Sequence, residues 1–177
     1  MNLIVDIETT GVTPGCVVLS VAVLPATNLI KPLHIYIQHE IQRSYALCDD
    51  KETMEFWNTV PKEVQELAFS GQVHPIDAVN KIIQYVALFD NCHYWSKGKD
   101  FDFPILRKFL NTFGCKEPWT RHNIHCLRDL AMWANIEWPT PSEKHNALSD
   151  AIDGLTVLEQ VKALKTNDNR TLFTLPD

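Results

Sequence analysis

At 177 residues, 45% hydrophobic and 21% charged, the chain has the size and composition of one soluble domain able to bury a full core without staples. Its net charge of −6 argues against a broad basic surface for gripping nucleic acid, and it has neither an 18-residue apolar run nor a basic-then-apolar N-terminus. The expected setting is the cytoplasm with no membrane partner. The five cysteines, odd in number and without a C-x-x-C, are read as reduced thiols.

The first element is an apolar strand, Leu3, Ile4, Val5 and Ile7, that carries two acids, Asp6 and Glu8. Alternate strand residues share a face, so the two carboxylates point the same way about 7 Å apart along the chain. Burying both is unfavourable unless a cation lies between them. An edge strand with a solvated face and a divalent-metal site are both consistent with this pair. A Pro-Gly turn at 14–15 leads to a second strand over 17–24. A third, 33–38, alternates Leu33, Ile35 and Ile37 with His34, Tyr36 and Gln38. The short connections predict an antiparallel meander.

Helical spacing takes over at 50–70, with a second start at Pro61. Pro75 opens a helix to about Phe89, and "CHYW" (92–95) is a short strand. Pro104 marks the first turn of a helix that runs to Phe113 and stops at Gly114. A short strand near 121–125 precedes a helix to about Ala134. After a proline-bearing loop, 147–165 is the last helix, with a core stripe of Leu148, Ala151, Ile152, Leu155, Leu158 and Val161. The expectation is a single domain over 1–177 in which 166–177 is a tail, built as a mixed α/β sheet flanked by helices.

More acids accompany Asp6 and Glu8. In "WSKGKDFDFPIL" (95–106), Asp100 and Asp102 precede Pro104, where either could simply cap the helix. In "HNALSDA" (145–151), helical residues five apart are rotated by about 140°, so His145 joins Asp150 only from the loop before the helix. Taken together, four carboxylates and a histidine that titrates near neutrality are the parts of two-metal phosphodiester hydrolysis. Hard oxygen donors suit Mg²⁺ or Mn²⁺. With four acids assigned to such a site, the remaining charge is nearly neutral. His122, His125 and Cys126 also lie close in sequence, but no second pair stands at zinc-finger spacing.

Three motifs, "DIETTG" (6–11), "FDFPIL" (101–106) and "HNALSDA" (145–151), occur in the order found in DEDDh-type 3′→5′ exonucleases of the DnaQ-like group. The chain resembles the small ribonuclease T-like members of bacteria and phages. "TMEFW" (53–57) and "IHCLRDL" (124–130) resemble the segments between their motifs. The resemblance implies a ribonuclease H-like fold, a five-stranded mixed sheet with its first three strands antiparallel and helices on both faces. It selects Asp102 over Asp100, since the family's middle motif is F-D followed by apolar residues. It assigns two divalent ions to Asp6, Glu8, Asp102 and Asp150, and proton abstraction from water to His145. The tyrosine that marks the other subtype would stand where this chain has Asn146. The backbone at Thr9, Thr10 and Gly11 would approach the 3′-terminal nucleotide of DNA or RNA. Nucleoside 5′-monophosphates would leave one at a time, and homodimers occur among these relatives. Gly98 departs from an asparagine common there. A ribonuclease H-like endonuclease and a non-catalytic nucleic-acid-binding module on the same fold are the alternatives.

Overall fold

A computed structural model describes residues 1–140 and 145–167, with side chains to residue 164. Five strands form one sheet: β1 (Asn2–Thr9), β2 (Val18–Pro25), β3 (Leu33–Tyr36), β4 (His93–Ser96) and β5 (Ile124–Cys126), in the order β3-β2-β1-β4-β5. β1, β2 and β3 pair antiparallel, as the short connections predict, while β1–β4 and β4–β5 are parallel. The parallel strands are linked by helical crossovers: α1 (His39–Ser44), α2 (Lys51–Trp57), α3 (Lys62–Ala68) and α4 (Pro75–Val86) before β4, and α5 (Lys99–Thr112) before β5. After β5 come α6 (Leu127–Trp133) and α7 (Ala147–Asn167). Among the described residues no helix is long and apolar enough to cross a membrane.

β1 is central and covered on both faces, which explains why its apolar run is unbroken apart from the acids. Leu3, Val5 and Ile7 enter the larger core with Ile82, Phe103, Phe109 and Leu110. Ile4 enters the second core, under α7, with Ala22, Trp95, Ala147, Ala151 and Leu158. Asp6 and Glu8, two and four residues beyond Ile4, therefore extend the α7 face. They lie opposite the small residues Ala22 and Ser20 of β2.

Immediately after Glu8 the register shifts, so that Thr9 pairs with Val18. Such an irregularity breaks the ladder locally and leaves backbone groups needing other partners. The fully buried Gln42 of α1 supplies them: Val18 N–H donates to Gln42 Oε1 (2.9 Å) and Gln42 Nε2 donates to Val18 O (2.7 Å).

Three sequence expectations change. α5 starts at Lys99, five residues before Pro104, with Gly98 as its N-cap. Pro104 lies early enough that its missing N–H deprives only the Asp100 carbonyl of an i→i−4 partner. Asp100 and Asp102 are thus in the first turn, where they complement the helix dipole, and neither caps the helix. In α7, Ile152 points outward, 49% exposed, and the buried line runs through Ala147, Ala151, Leu158 and Val161. Gly154 belongs to this line: a Cβ there would meet Leu127 Cδ1 at 2.8 Å and Ile4 Cγ2 at 3.0 Å. The absent side chain lets α7 press on β1. Finally, α7 continues two residues past the expected helix end, and positions 168–177 of the expected tail lie outside the described residues, as do 141–144 before His145.

Candidate active site

The close packing of α7 on β1 sets Asp150, in the first turn of α7, against the acids of β1. One carboxylate oxygen from each of Asp6, Glu8 and Asp150 lies within 4.8 Å of the others. Asp102, only 3% exposed, reaches the same place from α5. All four line a cleft of about 690 Å³ together with His145, Lys97, Lys99 and Arg128. The sequence-predicted acids thus converge from three elements. His122, His125 and Cys126 do not form a metal-competent group among the described residues.

The electrostatics are those of confined like charges. Burial, and then the charges of Asp102, Glu8 and Asp150, push the Asp6 carboxyl well above the ordinary range, with Lys97 opposing. Burial and the charges of Asp150 and Asp102 push Glu8 up to about 8. Burial also takes Asp102 to about 7, against the pull of nearby Ser96 and backbone donors. Asp150 is raised by burial, with Lys97 and His145 working against the shift. Each shift marks an ionised form that a cation would stabilise. The donor set is all oxygen and its atoms are near enough to share ions, so these residues fit hard divalent cations.

Lys97 is drawn into this field. Its ammonium lies over the Trp138 ring, 4.7 Å from the centroid, and it lowers Asp6, Asp150 and Asp153 alike. Asp153, one turn along α7 from Asp150, is itself buried.

His145 lies just before α7, as the helical geometry required, with a backbone φ of 60°. Its ring packs edge-on against Phe56 (5.0 Å between centroids) and Trp57 (6.0 Å). Trp57 is anchored in turn: its Nε1 donates to Thr9 O at 2.8 Å. α2, which carries both rings, is fixed by Asp50, whose side chain accepts from Thr53 N and whose own N–H donates to Thr10 O. Sequence reasoning gave Phe56 and Trp57 no part in the site. The signal was the "TMEFW" segment, whose aromatic residues are the ones that meet His145.

Thr9 and Gly11 line a second hollow of about 380 Å³ that continues the cleft, with Glu8, Phe56, Trp57 and Phe101 around it. Thr10 does not line it. Its side chain is fully buried, and its N–H and C=O are engaged by Val17 O and Asp50 N. Gly11 answers a packing demand: a Cβ would stand 2.7 Å from Cys16 Cβ and 3.2 Å from Asp50 Cβ.

The structure is similar to solved structures of Escherichia coli exonuclease I. Against its complex with a dT13 oligonucleotide the TM-score is 0.69 at 15% identity, covering 94% of this chain and 42% of that one. Against the zinc-bound form of its complex with single-stranded DNA it is 0.70 at 16% identity, covering 94% and 41%. The chain therefore spans about two-fifths of those proteins' length, and the likeness establishes the ribonuclease H-like fold. No curated protein sequence matches the chain. The model of the 3′-5′ exoribonuclease Rv2179c-like domain matches residues 1–162, and the chain belongs to that family.

Proposed function

We propose that the protein is a metal-dependent 3′→5′ exonuclease of the DEDDh type, removing nucleoside 5′-monophosphates from the free 3′ end of single-stranded nucleic acid. The observation that carries this reading is the convergence of Asp6, Glu8 and Asp150 within 4.8 Å, in a cleft that Asp102 and His145 also line. The family description favours RNA as substrate, and the exonuclease I complexes hold single-stranded DNA.

In this mechanism Asp6, Glu8, Asp102 and Asp150 would hold two divalent cations, Mg²⁺ or Mn²⁺. Ions bound there would supply Lewis-acid stabilisation of the charge that develops at the phosphodiester. The chain's own residues do the rest. His145 takes a proton from the water that attacks phosphorus, while Phe56 and Trp57 hold its ring at the cleft wall. The new bond forms from water oxygen to phosphorus. The bond from phosphorus to the 3′ oxygen of the preceding nucleotide breaks, and that oxygen takes up a proton from solvent, balancing the one that His145 later releases, to leave a shortened strand with a 3′ hydroxyl. Thr9 and Gly11 border the seat of the terminal nucleoside, and Phe101 and Phe56 offer it ring surfaces. Thr10 serves this seat indirectly, by tying Gly11 and α2 to the end of β1.

The test is digestion of 5′-labelled single- and double-stranded RNA and DNA with Mg²⁺ or Mn²⁺, alongside EDTA and Asp6→Ala controls. A descending ladder that disappears in both controls is expected. Intact substrate under every condition would overturn the proposal. A 3′-phosphate block separates this reading from an endonuclease, which would still cut.

A further inference from the structure

We propose that Lys97 is a further catalytic residue: its ammonium meets the non-bridging oxygens of the scissile phosphate, and Asp153 is the positioning residue that holds it there. The inference rests on the exonuclease reading and adds to it a cation that belongs to the chain itself.

Strand register brings Lys97 to the acids. β4 runs parallel to β1 with Trp95 beside Ile4, so Lys97 follows Trp95 to the α7 face just as Asp6 follows Ile4. Its backbone is fixed, because Lys97 O accepts from Arg128 N–H at 3.3 Å and from Cys126 Sγ at 3.5 Å. The side chain lines the cleft with Asp6, Glu8, Asp102, Asp150 and His145. Attraction to the Trp138 ring restricts the poses of an otherwise flexible stem. Lys99 and Arg128 line the same cleft, but from the starts of α5 and α6 and not from the sheet face that carries Asp6.

Asp153 is the second observation. It is 8% exposed, and its Oδ2 has no hydrogen-bond partner among the described residues. A buried carboxylate oxygen in that state is unfavourable and calls for a donor. Burial raises the Asp153 carboxyl and the charge of Lys97 opposes the rise, which puts this ammonium within range. A lysine ammonium carries several donors, so it can serve Asp153 Oδ2 and phosphate oxygens together.

The charge balance of the reaction gives the ammonium its task. Two divalent ions would balance four ionised carboxylates and nothing more. The phosphodiester arrives with a negative charge and gains another as water, relieved of its proton by His145, attacks phosphorus. A preorganised cation in a confined cleft meets that charge as it develops. A fixed positive charge beside Asp6 and Asp150 also weakens their hold on metal ions, so its presence there works against the site unless it acts on the substrate.

The test compares the wild type, Lys97→Met, Lys97→Arg and Asp153→Asn on a 5′-labelled RNA octamer with Mn²⁺. Calorimetry then follows the binding of Mn²⁺ and, in its presence, of adenosine 5′-monophosphate and adenosine. Lys97→Met keeps an apolar stem over Trp138 and removes the charge. Its kcat should fall about 100-fold with little change in KM, and Lys97→Arg should recover part of the rate. It should bind the monophosphate about tenfold more weakly, adenosine as the wild type does, and Mn²⁺ no more weakly. Asp153→Asn should lower kcat about tenfold alone and add nothing in Lys97→Met. Wild-type kcat in Lys97→Met, even with a lower melting temperature in EDTA, would overturn the proposal and leave Lys97 a counter-ion of the acids. So would a rate loss matched by lost Mn²⁺ binding, or equal losses toward the monophosphate and adenosine. Additive losses in the double variant would overturn the role of Asp153. If the wild type hydrolyses neither RNA nor DNA while monophosphate binding still depends on Lys97, the exonuclease reading fails and the phosphate contact stands.

Discussion

Neutralising one site acid should stabilise the cation-free protein while disabling it. Glu8 is held at about 8, against 4.5 for an ordinary glutamate. Its folded-state pKa is raised, so between those values the folded chain binds more protons than the unfolded chain, and stability falls as pH rises. The penalty is absent below about pH 4.5 and complete above about pH 8. At pH 7 the linkage relation gives about 3 kcal/mol for Glu8 alone, and at pH 5 less than about 1 kcal/mol. Glu8→Gln keeps the shape and removes the titration. In EDTA at pH 7 its melting temperature should exceed that of the wild type by about 6–12 °C, and the two should converge at pH 5. The comparison is of variant against wild type at each pH. His93 and His125 also contribute a slope, of opposite sign because their folded-state values are lowered, and it cancels in the difference. Added Mn²⁺ should raise the wild-type melting temperature and leave the variant nearly unmoved. A variant less stable than the wild type at pH 7 in EDTA, or a difference that grows toward pH 5, would refute the account of Glu8 as a buried, repelled carboxylate.

Other substitutions probe the supporting structure. His145→Ala should bind Mn²⁺ in calorimetry with near wild-type affinity but turn over about 100-fold or more slowly; undiminished turnover would remove His145 from proton transfer. Gly154→Ala forces a methyl group against Leu127 and Ile4, at a cost of about 1–3 kcal/mol that helix propensity offsets by about 1 kcal/mol. It should melt a few degrees lower and bind Mn²⁺ more weakly, and a raised melting temperature would show that α7 does not need this close approach. Trp57→Phe keeps the ring beside His145 but orphans the Thr9 carbonyl, costing about 1–3 kcal/mol in urea unfolding; no loss would mean that water replaces the indole N–H.

Much of the site was legible because strand and helix periods fix direction. A period of two put Asp6 and Glu8 on one side of β1, and the 100° helical step required His145 to precede α7. The antiparallel order of β1, β2 and β3 followed from short connections alone. What was hidden depends on contacts between distant residues. The start of α5 was misplaced because Pro104 usually marks a first turn, whereas here Gly98 begins the helix and the proline is tolerated further in. Ile152 fits a helical stripe, but only the docking angle set by Gly154 decides that it faces water. α1 is polar and six residues long, too short to show a period, and its Gln42 clamp on Val18 is visible only once the register shift after Glu8 is known. Gly11 was expected beside the terminal nucleotide, and the close approach of Cys16 and Asp50 that also requires a glycine there is a long-range contact no local pattern shows.

The carboxylates that meet at the cleft come from opposite ends of the chain, β1 and the start of α7, with α5 between them. A cation shared by Asp6 and Asp150 would therefore act as a reversible cross-link that closes a loop of nearly the whole domain. Loop-closure entropy grows only slowly with length, so a long loop is clamped for little more than a short one. Because the mutual repulsion of these acids works against the docking of α7, cation binding and α7 docking would share one equilibrium. Its signature is hydrogen exchange: Mn²⁺ should slow the amides at the start of α7 more than those in the middle of α4, which carries no site acid.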